Sequence, residues 1–467
     1  MKSIIYQMLP RLWGNGKFSS IDTGSLEYIK GLGANYIWFT GVIRHATPAT
    51  EKVVKGDVGS PYAITDYFDV NPYLADNKAR RMKEFQALLD RTHDAGLKAI
   101  IDFVPNHVAR EYKGTLGKDD DTSIHWKAEN DFFYYPGEEL KLPVKSSYKE
   151  FPAKASGNAF TSTPDINDWW ETIKLNYCPW HTATWDKMYD AVRFWALKGV
   201  DGFRCDMVEL VPPEFMQWLI LEIKREFPSV IFIAEVYQKE KYRMYIEEIG
   251  FDLLYDKSGL YDTLRAVTCS NASAKGITRN WQFLQDLQPR MLNFLENHDE
   301  QRLASDFFCG NAQAGNAALA VSLLLNTAPF MLYFGQEQGE RGMDAEGFSG
   351  LDGRTSIFDW SAKHFGPGEI LPAYRELLDL AKLPAFKEGN TFDLCYCQDG
   401  AFNPDRHFAW LRCDGKQCYL VVANFGPEAD ITLRIPPEAL QYLGVKAVRT
   451  VYTVPVNARD FAILKVE

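Results

Sequence analysis

The chain has 467 residues, a formal net charge of −11 and 14% aromatic residues. That length asks for two or three domains rather than one core. The acidic balance, without a Lys/Arg cluster interleaved by aromatics, argues against nucleic acid as a partner, and the lack of a bilayer-length apolar run argues against the membrane.

The start, MKSIIYQMLPRLW, carries one lysine, few apolar residues before Pro10 and no small-residue cleavage site, so it does not read as a signal peptide. Eight cysteines are scattered, at Cys178, Cys205, Cys269, Cys309, Cys395, Cys397, Cys413 and Cys418. The spacing is not that of a disulfide scaffold, and Cys205 falls inside a core strand. Reduced, buried thiols and a cytoplasmic location are the expectation. Cys395/Cys397 and Cys413/Cys418 sit on predicted antiparallel strands at gaps poorly suited to zinc.

To about residue 335 strand and helix alternate. Ser3–Met8 is a first strand, Ser25–Gly31 a helix, and Asn35–Thr40 a second strand. Met82, Phe85, Leu88 and Leu89 recur at helical spacing within Ala79–Ala95. Gly96 then stands where a left-handed C-terminal cap is wanted, before strand Leu97–Val104. A helix around Asp186–Leu197 precedes strand Val200–Cys205. A further helix starts near Pro212-Pro213 and stops at Pro228, ahead of strand Val230–Ala234. Phe251–Tyr255, Met291–Leu295 and Pro329–Phe334 bring the count to eight. Eight such repeats predict an α/β fold built on a (β/α)8 TIM barrel. A doubly wound sheet fits less well, because no Gly-rich phosphate loop follows the first strand.

Two stretches break the rhythm. Residues 108–175 are too long for a strand-to-helix loop and read as a small irregular inserted domain, with Trp126, Phe132–Tyr135 and Trp169-Trp170 as aromatic punctuation. Trp169-Trp170 read either as a sugar platform or as packing of the insert. Beyond about residue 384, Phe392–Gln398, His407–Cys413, Gln417–Asn424, Ile431–Ile435, Ala447–Thr453 and Phe461–Val466 read as short strands of an antiparallel β-sandwich. The expected division is 1–107 and 176–383 for the barrel, 108–175 for the insert and 384–467 for the β domain.

Four segments place a carboxylate at or just past a strand end: DFVPNH, GFRCD, AEV and ENHD. At the carboxyl ends of barrel strands, Asp102, Asp206, Glu235 and Asp299 would converge on one pocket. Alternation puts Gly202, Arg204 and Asp206 on one strand face. A guanidinium beside Asp206 favours its charged form, as a nucleophile requires. Glu235 leaves an apolar run, and partial desolvation suits a proton-holding general acid. Asp206 and Glu235 lie one repeat apart, on adjacent strands. His298 beside Asp299 invites a hydrolytic triad, but no Gly-x-Ser-x-Gly elbow supplies its serine. A metal site from His107, His298 and the acids lacks His-x-x-x-His spacing. Paired carboxylates, aromatic platforms and no cofactor motif point to glycoside hydrolysis.

With these segments the chain resembles the α-amylase family of glycoside hydrolases and glucanotransferases (family 13). DFVPNH, GFRCD, AEV and ENHD look like its first four signature regions. TPDIN at 163–167 is similar to the fifth, GSPYAITDYFDVNP at 59–72 to the loop after strand two, and FGQEQG at 334–339 to the loop after strand eight. The resemblance implies Asp206 as nucleophile, Glu235 as acid and base, and Asp299 as the group favouring the distorted ring. Arg204 would position Asp206, His107 and His298 would hydrogen-bond the sugar, Tyr62 would stack beneath it, and Asp102 would support the site from below. It implies retention, with carboxyls about 5–5.5 Å apart. The substrate would be malto-oligosaccharides or starch fragments with α-1,4 linkages. Transfer to sugar, as in glucanotransferases and trehalose- or isomaltulose-type isomerases, uses the same residues. A non-catalytic relative should have lost an acid.

Departures from the family bear on metal. Glu209-Leu210 stands where many members carry Lys-His, which weakens one carbonyl ligand of the usual calcium site. Asn106 and Asp165 match the remaining positions, so no cofactor is required and a calcium ion there stays open. The second ion loop of some relatives is missing from Trp13–Lys17, and Asp119–Asp121 reads as a solvated loop. Oligomeric state, endo against exo action and α-1,4 against α-1,6 preference are not set by these motifs.

Overall fold

The computed structural model describes residues 2–113, 136–178, 183–269, 272–343, 353–359, 368–446 and 449–466. Eight parallel strands close into a barrel: β1 Ile4–Met8, β2 Tyr36–Phe39, β3 Lys98–Phe103, β4 Gly202–Cys205, β5 Ile231–Ala234, β6 Leu253–Tyr255, β7 Met291–Phe294 and β8 Phe330–Tyr333. β8 pairs back onto β1, Ile4 opposite Phe330, so no sheet edge is left open.

Local chemistry sets the repeats. Asp22 accepts from the Ser25 N–H at 2.8 Å and starts helix Thr23–Gly31. Helix Arg81–Asp94 buries Phe85, Leu88 and Leu89 against the barrel, and Gly96 takes φ +76° beyond its end. In β4, Ile100 of β3 and Ile231 of β5 crowd against Gly202, where an added Cβ would stand 2.7 Å from the Ile231 side chain. Those isoleucines fill the layer beneath Arg204, whose register partner on β3 is Asp102. Packing below thus forces both polar side chains up toward the mouth.

Within the insert, His107–Ala109 pairs antiparallel with Thr172–Lys174. Arg110 is fully buried there, donating to Glu150 at 2.9 Å, to the carbonyls of Trp170 and Lys154, and to Ser156 Oγ. Trp126, Phe132–Tyr135 and Asp119–Asp121 lie outside the described residues.

The C-terminal region has an antiparallel sheet ordered Asn390–Asp393, His407–Cys413, Cys418–Asn424, Phe461–Lys465, and a hairpin of Ala429–Arg434 with Val451–Val456. Leu411, Leu420 and Val422 of the sheet share a core with Ile431, Leu433 and Val454 of the hairpin. The strand expected over 392–398 stops at Asp393, whose carboxylate caps the Cys395 N–H at 2.8 Å and turns the chain. The expectation of eight reduced thiols also needs correcting. The Asp414–Gln417 turn sets Cys413 directly opposite Cys418, and the two form a disulfide. Among the described residues no helix is long and apolar enough to cross a membrane.

Candidate active site

Tyr62, His107, Trp169, Asp206, Glu235 and Asp299 line one cavity of about 450 Å³ at the carboxyl end of the barrel. Asp206 ends β4, and the chain turns at once through Met207, held at φ +46°. This left-handed turn, rare for a side chain of that size, aims the Met207 N–H at Glu235 Oε2, 2.9 Å away. Glu235 ends β5. Its other oxygen, Oε1, accepts from Tyr237 Oη at 2.7 Å and forms an ion pair with the Arg204 guanidinium, 2.9 Å from Nη2.

Arg204 is fully buried and bridges the two acids, with Nη1 2.6 Å from Asp206 Oδ1. The faces of Trp38, Tyr62 and Tyr255 surround its guanidinium at 5.3–5.6 Å. Because this cation is divided between two carboxyls, it does not by itself keep Asp206 ionised. Burial pushes the Asp206 carboxyl up to about 8, Arg204 pulls it down, and the Glu235 charge raises it again.

Three predicted residues stand behind the cavity wall. Asp102 accepts from the Gly41 N–H at 3.1 Å and from Tyr62 Oη at 3.3 Å, and burial raises its carboxyl to about 6. His298 is buried, with Nδ1 paired to the Gln7 amide at 2.8 Å and Nε2 close to Tyr62 Oη and 3.2 Å from Asp299 Oδ2. Burial and Arg204 hold its imidazole well below the usual pKa, hence neutral. Arg204 is the third. On the insert side, burial lowers His107 to about 3, and its ring lies 5.2 Å from that of Trp169. The Trp169-Trp170 alternatives divide between the two residues: Trp169 faces the cavity, and Trp170 packs inside the insert.

Sequence reasoning did not single out Tyr237, Met207, Lys257, Glu300 or Arg354, all on the cavity lining. Tyr237 follows Glu235 by two residues, a spacing that returns a side chain to the same strand face. Only that signal was present.

The sequence profile described as alpha amylase, catalytic domain, matches residues 14–362. The chain belongs to the α-amylase family. It is 27% identical over 440 residues to α-amylase MalA of Haloarcula japonica, covering 91% of this chain and 56% of that protein. It is 20% identical over 475 residues to neopullulanase 2 of Thermoactinomyces vulgaris, covering 93% of this chain and 71% of the relative. The crystal structure of a maltogenic α-amylase, AmyB of Thermotoga neapolitana, superposes with a TM-score of 0.69 at 22% identity, covering 99% of this chain and 96% of that one. A cyclic α-maltosyl-(1→6)-maltose hydrolase from Arthrobacter globiformis gives 0.74 at 18% identity, covering 100% and 99%. At such identities the structural likeness concerns the fold.

Against the α-amylase family pattern, the calcium positions do not fit an ion. Asn106 Oδ1 accepts from Lys174 Nζ at 2.6 Å, and the same ammonium donates to the Leu210 carbonyl at 3.0 Å. A cation already sits between two of the neutral ligands. Asp165 is exposed and caps the Asn167 N–H of its own loop at 2.7 Å. Among the described residues, no group of three or more His, Cys, Asp and Glu could hold a metal. Glu209, in place of the family's lysine, accepts from the Tyr237 N–H at 2.8 Å and the Gln238 N–H at 3.3 Å, and so fixes the backbone that carries Tyr237.

Proposed function

We propose that this protein is a retaining glycoside hydrolase that cleaves α-1,4-glucosidic bonds in malto-oligosaccharides or starch fragments. One observation carries the reading. Two buried carboxyls joined by a single guanidinium face one cavity together with a third acid, Asp299, and an aromatic floor, Tyr62. Such a pair can divide nucleophile and acid between its members.

In the first step Asp206 attacks the anomeric carbon. The bond to the leaving oxygen breaks, and that oxygen takes the proton of Glu235. This step needs the proton on Glu235 and the charge on Asp206. In the second step Glu235 removes a proton from water, the hydroxyl attacks the same carbon, and Asp206 leaves. Asp299, on the same cavity, would favour the positive charge that develops on the distorted ring. Family membership, and relatives named for amylase and pullulanase activities, support the α-glucan substrate class.

The test is a time course of products from maltoheptaose and panose, with the anomer of the first product read by proton NMR. The α-anomer, appearing in wild type and reduced on the order of a thousandfold or more in Asp206→Asn, is expected. A β-anomer, or undiminished turnover by Asp206→Asn, would overturn the reading. Products longer than the substrate at early times would identify transfer rather than hydrolysis.

A further inference from the structure

We propose that the cavity is blind on the side facing away from Glu235. The enzyme then accepts only the non-reducing end of an α-glucan and releases a single glucosyl unit per event. The inference rests on the glycosidase reading above and adds to it the choice between chain ends and chain interiors.

The leaving group must lie on the Glu235 side, because Glu235 is the acid that reaches its oxygen. In the closed ring of eight strands, β1 is diametrically opposite β5, which carries Glu235. The loops that follow β2 and β8 flank β1, so together they form the wall facing the glycosyl unit attached to Asp206. These loops are joined through their backbones. The Val58 N–H donates to the Phe358 carbonyl at 3.1 Å. Gly56, at φ +73°, packs so closely that an added Cβ would stand 2.2 Å from the Phe358 oxygen. Lys55 Nζ lies 5.3 Å from the centre of the Phe358 ring. Arg11, from the segment after β1, donates to the carbonyls of Asp359 and Ser356 at 3.1 and 3.2 Å. A seam of three loops therefore closes this end.

Ser60, Ile357 and Phe358 of that seam line the same cavity as Tyr62, Asp206 and Asp299. Exposure changes across the site in the matching direction. Ile357 on the seam is 5% exposed, whereas Tyr237 beside the acid is 37% exposed. The glycosyl side is roofed and the leaving-group side is open. A volume of about 450 Å³ is on the order of two linked sugar rings, one on each side of the bond to be broken. A chain continuing past the first ring would have to pass through the backbone junction at Gly56 and Phe358.

The experiment compares three substrates with the wild-type enzyme: maltoheptaose, α-cyclodextrin, which has no ends, and a p-nitrophenyl maltoheptaoside whose terminal non-reducing O4 and O6 are blocked by an ethylidene group. Glucose and maltohexaose in equal amounts as the only early products from maltoheptaose, with loss of all turnover on the other two, is the expected result. Maltose to maltopentaose among the early products from wild type, or wild-type cleavage of the blocked or cyclic substrate, would overturn the blind end while leaving the glycosidase reading intact. No cleavage of any of the three, nor of maltose and panose, would instead overturn the glycosidase reading and this proposal with it.

Discussion

Tyr237 Oη donates a 2.7 Å hydrogen bond to Oε1 of Glu235, and Glu209 in turn fixes the Tyr237 backbone. The hydroxyl therefore orients a group it never replaces, and it acts as a positioning residue. Tyr237→Phe removes a hydrogen bond to an ionisable acceptor, worth about 1.5–3 kcal/mol. The expected outcome is a kcat lowered about ten- to a hundredfold with little change in KM. The loss should shrink for a dinitrophenyl glucoside, whose leaving oxygen needs no proton. Equal losses on poor and good leaving groups would show that Tyr237 merely supports the fold.

Asp206, the proposed nucleophile, carries a cost in stability. Its carboxyl is pushed up to about 8, chiefly by burial, against an unfolded value of 3.8. Between these two values the folded protein binds more protons than the unfolded chain, so stability falls as pH rises through that window. Asp206→Asn removes the titration. The variant should lose turnover yet melt above the wild type, with a larger gap at pH 8 than at pH 5. Thermal melts of both proteins at the two pH values measure this directly. A gap that narrows toward pH 8 would contradict the assignment.

How much of this was legible beforehand depends on the residue. Asp206, Glu235 and Asp299 were visible because an apolar run that ends in an acid is a local pattern, and a closed parallel barrel turns local strand ends into one mouth. The bridging of both acids by Arg204 was not visible. Arg204 was read as the partner of Asp206 alone, whereas its second nitrogen reaches Glu235 from the adjacent strand, a contact set by barrel register. The Cys413–Cys418 bridge was missed for a similar reason. It follows from a hairpin register that a spacing of five does not announce. Trp169 and Trp170 could not be separated by composition, since the chain turns there, with the Thr172 N–H donating to the Trp169 carbonyl at 3.0 Å, and only the fold says which ring faces in.

Lys174 supplies a covalently tethered cation where the family pattern would look for calcium. Its ammonium ties Asn106, past the end of β3, to the Leu210 carbonyl, past the end of β4. Chelation with EDTA is therefore expected to leave activity and melting temperature unchanged, and added calcium should raise neither. Lys174→Met should destabilise the protein by about 1–3 kcal/mol, because two acceptors lose their donor. A calcium-dependent melting temperature in the wild type would refute this account.

Arg110 makes the inserted segment dependent on one buried charge. Its guanidinium is fully enclosed, with Glu150 as its ionic partner and the Trp170 and Lys154 carbonyls and Ser156 Oγ as further acceptors. Without Arg110 the buried Glu150 carboxylate keeps only the Lys154 ammonium, 3.7 Å from its Oε2, at a cost of the order of a broken buried pair, about 3–5 kcal/mol or less. Arg110→Met should accordingly loosen the segment that carries Trp169 and His107 while leaving the barrel folded. Limited proteolysis should cut within residues 136–178 first. KM should then rise more than kcat falls, because the insert shapes the rim of the cavity while Asp206 and Glu235 remain anchored on β4 and β5. The double variant Arg110→Met with Glu150→Gln should recover part of the lost stability, since the carboxylate left to Lys154 alone is then gone. Failure of that recovery would place the cost in lost packing rather than in stranded charge.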